Sequence, residues 1–348
     1  MHYLLPLKAA RADDLTDLAS YVERLRRRLP VIVVDGSDAA TFARNALLFA
    51  GATHVAPRPE LQCANGKVAG VLTGFALSRS DKVIVADDDV RYEDEQLDAM
   101  EKLLDEVDVV IPQNYYAPMS APARWDTARM LVNRALPWGD YPGTLGLRLS
   151  ERMRRLGYDG DVLFENLELM RSVVADGGTA LVARDLFVRR LPPDCRHFVG
   201  QRVRQAYDSL GQPERLAVEL TLLPFAVYGV RHRLALLCGA VSSVLLAETG
   251  RRRAGGRAYF APSSALLTPL WTIERAVCVW IALGRRVLLG GTAYSGRRVR
   301  RAATPLRRLR RERARSCGCR RRTASPRSAR IGTMPPCARC APATRPSA

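Results

Sequence analysis

Asp87-Asp88-Asp89 is the densest cluster of chemistry-bearing side chains in the sequence. The triplet ends an apolar run, residues 82–86, that reads as a buried strand. Adjacent carboxylates repel one another, and withdrawal from water raises the cost of keeping them ionised. A divalent cation relieves both problems, and Asp87 and Asp89, separated by one residue, can share one ion. Oxygen ligands of this kind suit Mg²⁺ or Mn²⁺, which also bind a diphosphate. The plainer reading is a solvated acidic turn ahead of a helix, where carboxylates favour the N-terminal dipole. Upstream, Lys67 follows Gly66 at a helix start, where an ammonium either neutralises a phosphate or faces solvent. Asp35 closes the β-branched run 31–34 and reads as an acceptor for a nucleoside hydrogen bond or as a helix cap. The four histidines, His2, His54, His197 and His232, show no metal-ligand spacing, and no Ser/His/Asp hydrolase set stands out.

These residues need a scaffold that gathers strand ends. Residues 3–7 predict a short strand, followed by a helix capped by Asp13 or Asp14 with Leu15, Leu18, Val22 and Leu25 on one face. Strands are expected at 31–34, 54–56, 82–86 and 107–112, with helices near 40–50, 67–78 and 94–106 between them. This alternation predicts an open, mainly parallel α/β sheet flanked by helices. Ligands of such sheets sit beyond the carboxyl ends of the strands, where Asp35 and the acidic triplet both fall. Residues 113–212 read as loop-rich, with helices near 125–135 and 167–175.

The chain has 348 residues, 47% of them apolar and 26% charged, which excludes wholesale disorder and fibrous repeats. Its net charge of +19 is a property of the end of the chain: residues 297–348 carry seventeen Arg and one Glu, leaving +3 for the rest. Residues 297–348 read as a disordered, Arg-rich tail. Cys63, Cys195, Cys238 and Cys278 are scattered singly, as free thiols of a reducing compartment would be. Cys317, Cys319, Cys337 and Cys340 could be taken for a zinc site, but their Arg/Pro/Ser/Ala surroundings offer nothing for a metal to organise. Residues 1–6 lead into a polar helix pattern, so no secretory signal is expected.

The ordered set of motifs resembles the family 2 glycosyltransferases of GT-A fold over about residues 3–210. Val33-Val34-Asp35-Gly36-Ser37 corresponds to the V-V-D-x-S strand end, Gly66-Lys67 to the G-K segment, and Asp87-Asp88-Asp89 to D-x-D. Glu165-Asn166 stands where the family has E-D, and Gln201, Arg204 and Gln205 stand in the Q-x-x-R-W element. The resemblance implies an inverting transfer from a nucleotide-diphosphate sugar. Asp87 and Asp89 would hold the divalent ion, and Asp35, Lys67 and Asp88 would serve the nucleotide. Glu165 would act as base, while Gln201 and Arg204 contact the diphosphate or acceptor. Glu168 and Asp161 are alternative bases, and Tyr207 is a candidate aromatic platform in place of the missing Trp.

Residues 213–296 read as an apolar helical region associated with a membrane, behind a catalytic domain at 1–212. A span needs about 20 apolar residues, and here Arg231-His232-Arg233 and Glu274-Arg275 interrupt the runs. A monotopic anchor is therefore expected, with Arg231, Arg233 and Arg275 snorkelling to the headgroups and the basic loop 251–257 on the cytoplasmic face. Beside a GT-A domain, such a region resembles ceramide and hopanoid glycosyltransferase architectures. It implies an enzyme of the cell membrane with a cytoplasmic catalytic domain and a lipid or polyisoprenoid-linked hydroxyl acceptor, and the four Lys against fifty Arg suggest a GC-rich coding sequence, which fits a bacterial source. The alternatives are a catalytically impaired sugar-nucleotide binding protein and a tail that binds nucleic acid. No specific nucleic acid is expected as a partner.

Overall fold

The period-two alternation of the first strand sets up the layers: Tyr3 and Leu5 join the core on one face of the sheet and Leu4 joins the core on the other. The computed structural model describes residues 1–137, 140–294 and 296–316. Eight strands form one sheet: β1 (His2–Leu7), β2 (Val31–Asp35), β3 (Thr53–Val55), β4 (Lys82–Ala86), β5 (Val90–Arg91), β6 (Val109–Tyr116), β7 (Thr144–Arg148) and β8 (Ala180–Arg190). Their order is β3-β2-β1-β4-β7-β6-β8-β5. The β3-β2-β1-β4 half is parallel, as the βα alternation requires, and β6 runs parallel to β8. Strand β7 is antiparallel to β4 and β6, and β5 is antiparallel to β8, so the sheet is mixed.

Helices cover both faces. Thr16–Arg26 and Asp94–Glu106 bury Leu18, Val22, Leu25, Leu97, Met100 and Leu104 against one side. Gly66–Leu77 and Glu165–Ala175 bury Val68, Val71, Phe75, Leu169 and Val173 against the other. Within 113–212 the sequence pattern concealed two strands. In β8, Arg184, Asp185, Arg189 and Arg190 break the apolar signature, and the register against β6 shifts between Ile111 and Gln113. In β7 the obstacle is Gly146, which is required because a Cβ there would lie 2.2 Å from Met100 Sδ.

Residues 297–316 correct the expectation of a tail without a fold from 297 onward. Arg297–Val299 pairs with Thr292–Tyr294 as a hairpin, and Leu306–Ser316 is a helix. The amides of Leu163 and Phe164 donate to the Arg301 and Ala302 carbonyls at 3.0 and 2.8 Å, and Arg313 pairs with Asp176. These contacts hold residues 297–316 against the sheet domain, which composition does not reveal. The four cysteines from 317 onward lie outside the described residues. Of the single cysteines, Cys278 is buried but Cys238 is exposed.

The apolar region contains three long helices, Pro213–Arg231, Arg233–Arg252 and Thr268–Leu288, with the short helix Pro262–Leu266 before the last. Among the described residues, one helical stretch, Arg233–Ala258, is long and apolar enough to cross a membrane. Phe225, Tyr228, Leu234, Leu237, Val241 and Leu245 are exposed on the first two helices, and Ile273, Trp280 and Val287 on the third. The loop after Arg252 returns to the sheet domain. Buried Arg134 donates to the Gly250 carbonyl at 3.1 Å and the Arg253 carbonyl at 2.6 Å, and Arg253 donates back to the Arg134 carbonyl at 3.0 Å. Arg231 and Arg233 are exposed, but Arg275 does not snorkel: it is fully buried toward the protein. Its neighbour Glu274 accepts a 2.6 Å hydrogen bond from Trp125 Nε1. Glu274 and Arg275 therefore face protein rather than hydrocarbon.

Candidate active site

A cleft of about 880 Å³ opens beyond the carboxyl ends of β1, β2 and β4, lined by Asp35, Ser37, Phe42, Lys67, Asp87 and Asp88 among others. A smaller pocket of about 130 Å³ adjoins it, with Asp87, Glu165, Arg190, Gln201 and Arg204 in its wall. Asp87 lines both. Every residue assigned to the site from the sequence except Asp89 lines one or the other, and Asp89 sits behind Asp87 on Arg190.

Lys67 is placed by the start of its helix. Asn65 caps Gly66–Leu77 by accepting from the Lys67 amide at 3.2 Å, and its own backbone amide donates to the Gly160 carbonyl at 2.9 Å. The Lys67 Nζ lies 2.5 Å from Asp87 Oδ1 and 2.8 Å from Glu165 Oε1. Burial would lower the lysine's pKa, but the two carboxylates more than reverse this and raise it. Asp87 is held below the usual carboxylate range despite burial, by Lys67 and then Arg190. The lysine thus cross-links the expected metal ligand to the expected base.

Arg190, at the end of β8, organises the rest of the triplet. Its Nε donates to Asp89 Oδ2 at 2.8 Å, and Nη2 lies 3.6 Å from Asp87 Oδ2. Gly143 passes so close that a Cβ there would meet Asp87 Oδ2 at 2.5 Å. Withdrawal from bulk water, with Asp89 and Asp87 alongside, pushes the Asp88 carboxyl up to about 6. Asp89 Oδ1 is buried and accepts no hydrogen bond. Among the described residues no group of three or more Asp, Glu, His or Cys side chains is arranged as a metal cage. An orphaned carboxylate oxygen beside a strained acidic cluster nevertheless fits a cation that takes its remaining ligands from a diphosphate, as Mg²⁺ commonly does.

Asp35 is almost wholly buried at the cleft floor. It accepts from the Ser37 amide at 2.9 Å and Asn45 Nδ2 at 2.8 Å, and His54 Nε2 lies 3.2 Å away. Burial would raise its pKa, and these hydrogen bonds outweigh that effect and lower it. The helix cap that the sequence allowed for Asp35 belongs to Asp38, which accepts from the Ala40 and Thr41 amides.

Glu165 begins its helix at the pocket edge. Its neighbour Asn166 donates to the Pro142 carbonyl at 2.8 Å, which an ionised carboxylate could not do, so this position secures the loop before β7. The alternative bases are committed elsewhere: Glu168 Oε2 accepts from the Thr304 amide at 2.6 Å, and Asp161 Oδ1 from the Ala64 amide at 3.0 Å. Gln201 and Arg204 reach the pocket from the helix Cys195–Tyr207, where Gln201 also contacts His197. Tyr207 is not a platform. It is fully buried, and its hydroxyl donates to the Arg300 carbonyl at 2.6 Å. The aromatic ring at this position is Tyr294, with the Arg204 guanidinium 4.5 Å from its centroid.

Sequence reasoning missed Arg190, Asp208, Arg215, Arg275 and Tyr294. Arg190 and Asp208 carry no motif signal. Arg275 had one, an arginine inside an apolar helix, which had been read as a membrane problem. Burial pushes the Asp208 carboxyl up to about 7, against the opposing pull of Arg204.

No protein-family model matches the sequence, and no curated protein does. Solved structures that resemble it include a mannosyltransferase from Pyrobaculum calidifontis in complex with GDP-mannose and Mn²⁺, 16% identical, covering 80% of this chain and 86% of that one, with a TM-score of 0.44. Mannosyl-3-phosphoglycerate synthase from Rubrobacter xylanophilus is 19% identical over 62% of this chain and 75% of that one, with a TM-score of 0.41. Glucosyl-3-phosphoglycerate synthase from Mycobacterium tuberculosis, solved with Mn²⁺, UDP and phosphoglyceric acid, is 17% identical over 60% and 76%, with a TM-score of 0.40. At such values the chemistry has to rest on this chain's own side chains.

Proposed function

We propose that the chain is a membrane-associated inverting glycosyltransferase of GT-A type. It would move a sugar from a nucleotide-diphosphate donor to a lipid or polyisoprenoid-linked hydroxyl. The observation that carries this reading is the Lys67 ammonium held between Asp87 and Glu165, where a nucleotide-sized cleft meets an arginine-lined pocket. The cleft offers Asp35 and Ser37 to the nucleoside. Mg²⁺ or Mn²⁺ held by Asp87 and Asp89 would offset the charge building on the diphosphate as it leaves. Lys67 is drawn toward the same phosphates. Glu165 takes the acceptor's hydroxyl proton as the oxygen bonds to the anomeric carbon and the bond to the diphosphate breaks. Arg204 faces the anionic groups from the opposite wall.

The binding-protein alternative rested on Asn166 standing where a second carboxylate was expected. Its bond to Pro142 gives that position a structural task and leaves Glu165 in place. Exposed apolar faces on three helices support a membrane surface. The bonds between Arg134 and Arg253 keep the basic loop on the catalytic side, which we read as cytoplasmic. Ceramide- and hopanoid-type acceptors both fall within this reading. Titration of the full chain with UDP and GDP, with and without Mn²⁺, tests the donor half. Mn²⁺-dependent binding of one nucleotide that Asp89→Ala removes would support it, and binding of neither would overturn it.

A further inference from the structure

Arg275 is fully buried, and none of its three guanidinium nitrogens makes a hydrogen bond among the described residues. Glu219 Oε2 stands 3.9 Å away, beyond hydrogen-bond reach. That loose ion pair, with a carboxylate already bonded to Arg215, leaves all three guanidinium nitrogens without a hydrogen bond, which is costly inside the protein and favours an added anion. Arg275 lies in the wall of the pocket beside Glu165. Three of the other arginines there are committed to carboxylates: Arg129 to Asp126 and Asp140, Arg190 to Asp89, and Arg215 to Glu219. Arg204 and Arg275 are the two that hydrogen-bond no carboxylate among the described residues. Asp208, the acid nearby, is half neutral around pH 7, which lessens its competition for an incoming anion.

Arg215 lines a second cavity as well. This is an apolar groove of about 300 Å³ between the helices, walled by Val218, Leu222, Phe225, Leu236, Leu246 and Trp271. The cationic pocket and the apolar groove thus meet at one residue, and the pocket's other end is Glu165 and Asp87.

We propose that the acceptor is a lipid phosphate whose own P–OH is the hydroxyl that gives its proton to Glu165 and whose oxygen bonds to the anomeric carbon, with the phosphate on Arg275 and Arg204 and the hydrocarbon chain in the groove between the helices 213–231, 233–252 and 268–288. This rests on the glycosyltransferase reading and names the acceptor class for it. A free phosphate compound would leave the groove empty, and a neutral lipid would leave the Arg275 guanidinium without an anion to hydrogen-bond.

The test uses the full chain without donor, titrated calorimetrically with dodecyl phosphate below its micellar concentration, dodecanol and inorganic phosphate. Dodecyl phosphate should bind at least about tenfold more tightly than either fragment. Ser243→Phe, which fills the groove, should weaken dodecyl phosphate about tenfold or more and spare inorganic phosphate. Arg275→Met should reduce dodecyl phosphate to the level of dodecanol. It should also leave the thermal midpoint of the lipid-free protein unchanged or higher, because an apolar side chain replaces a buried charge that makes no hydrogen bond and only a loose ion pair, while Glu219 keeps Arg215. Equal binding of dodecanol, equal binding of inorganic phosphate, or indifference to Ser243→Phe would overturn the proposal. If Arg275→Met fails to fold, the arginine is structural and the phosphate site is overturned. The Mn²⁺–nucleotide titration reports the donor cleft separately: lipid binding without nucleotide binding refutes the transferase reading, and the reverse refutes only the lipid phosphate.

Discussion

Lys67 Nζ lies 2.8 Å from Glu165 Oε1 although 98 residues separate them in the chain. The same nitrogen touches Asp87, so one ammonium joins the start of a helix, the end of β4 and the start of a second helix. Removing it as Lys67→Met leaves two enclosed carboxylates without their cation, which should cost about 3–5 kcal/mol. Urea unfolding of the variant and the wild type measures this, and a loss below about 1 kcal/mol would show the pair to be solvent-screened.

Glu165→Gln keeps the shape of the side chain and removes the proton acceptor. Transfer should fall about 10²–10⁴-fold while nucleotide binding persists. Glu168→Gln should leave transfer near normal, since Glu168 faces Thr304 rather than the pocket. Steady-state rates of the two variants, compared side by side, decide between them.

Asp208 supplies a pH signature. Its folded pKa, about 7, lies above the ordinary carboxylate value, so between roughly pH 4 and 7 the folded state binds more protons than the unfolded state. Stability from this group therefore falls as pH rises through that window and levels off above it. Asp208→Asn removes the penalty. The variant's thermal midpoint relative to wild type should be higher at pH 8 than at pH 5, and a difference independent of pH would contradict the assignment.

The Arg134–Arg253 bonds predict topology. Single cysteines placed at 253 and 257 should resist an impermeant thiol reagent applied to intact cells and react once the membrane is opened. Labelling from outside would put the loop across the membrane from the catalytic domain.

Much of this was legible before the fold was known. The β-branched runs fixed β2 and β4, and turn chemistry placed Asp35 and the acidic triplet at the strand ends, where the structure has them. Hidden were contacts between distant segments: Arg190 reaching Asp89, Tyr294 standing under Arg204, and Thr304 occupying Glu168. Such pairings have no local periodicity, because they depend on how a charged strand and a basic chain end fold back. Composition misled at 297–316, where arginine content looked like disorder although the side chains bind specific carbonyls and carboxylates, such as Arg301 on Asp159.

The central claim is sugar transfer dependent on Asp89 and Glu165, and product formation tests it most directly. The full chain is incubated with Mn²⁺, a panel of UDP- and GDP-sugars and a membrane lipid extract, and released nucleoside diphosphate and glycosylated lipid are measured together. The account predicts that one donor yields both products in equal amounts, and that Asp89→Ala and Glu165→Gln, each still folded, yield neither above background. Release unchanged in both variants, or no lipid product from any donor, would contradict it.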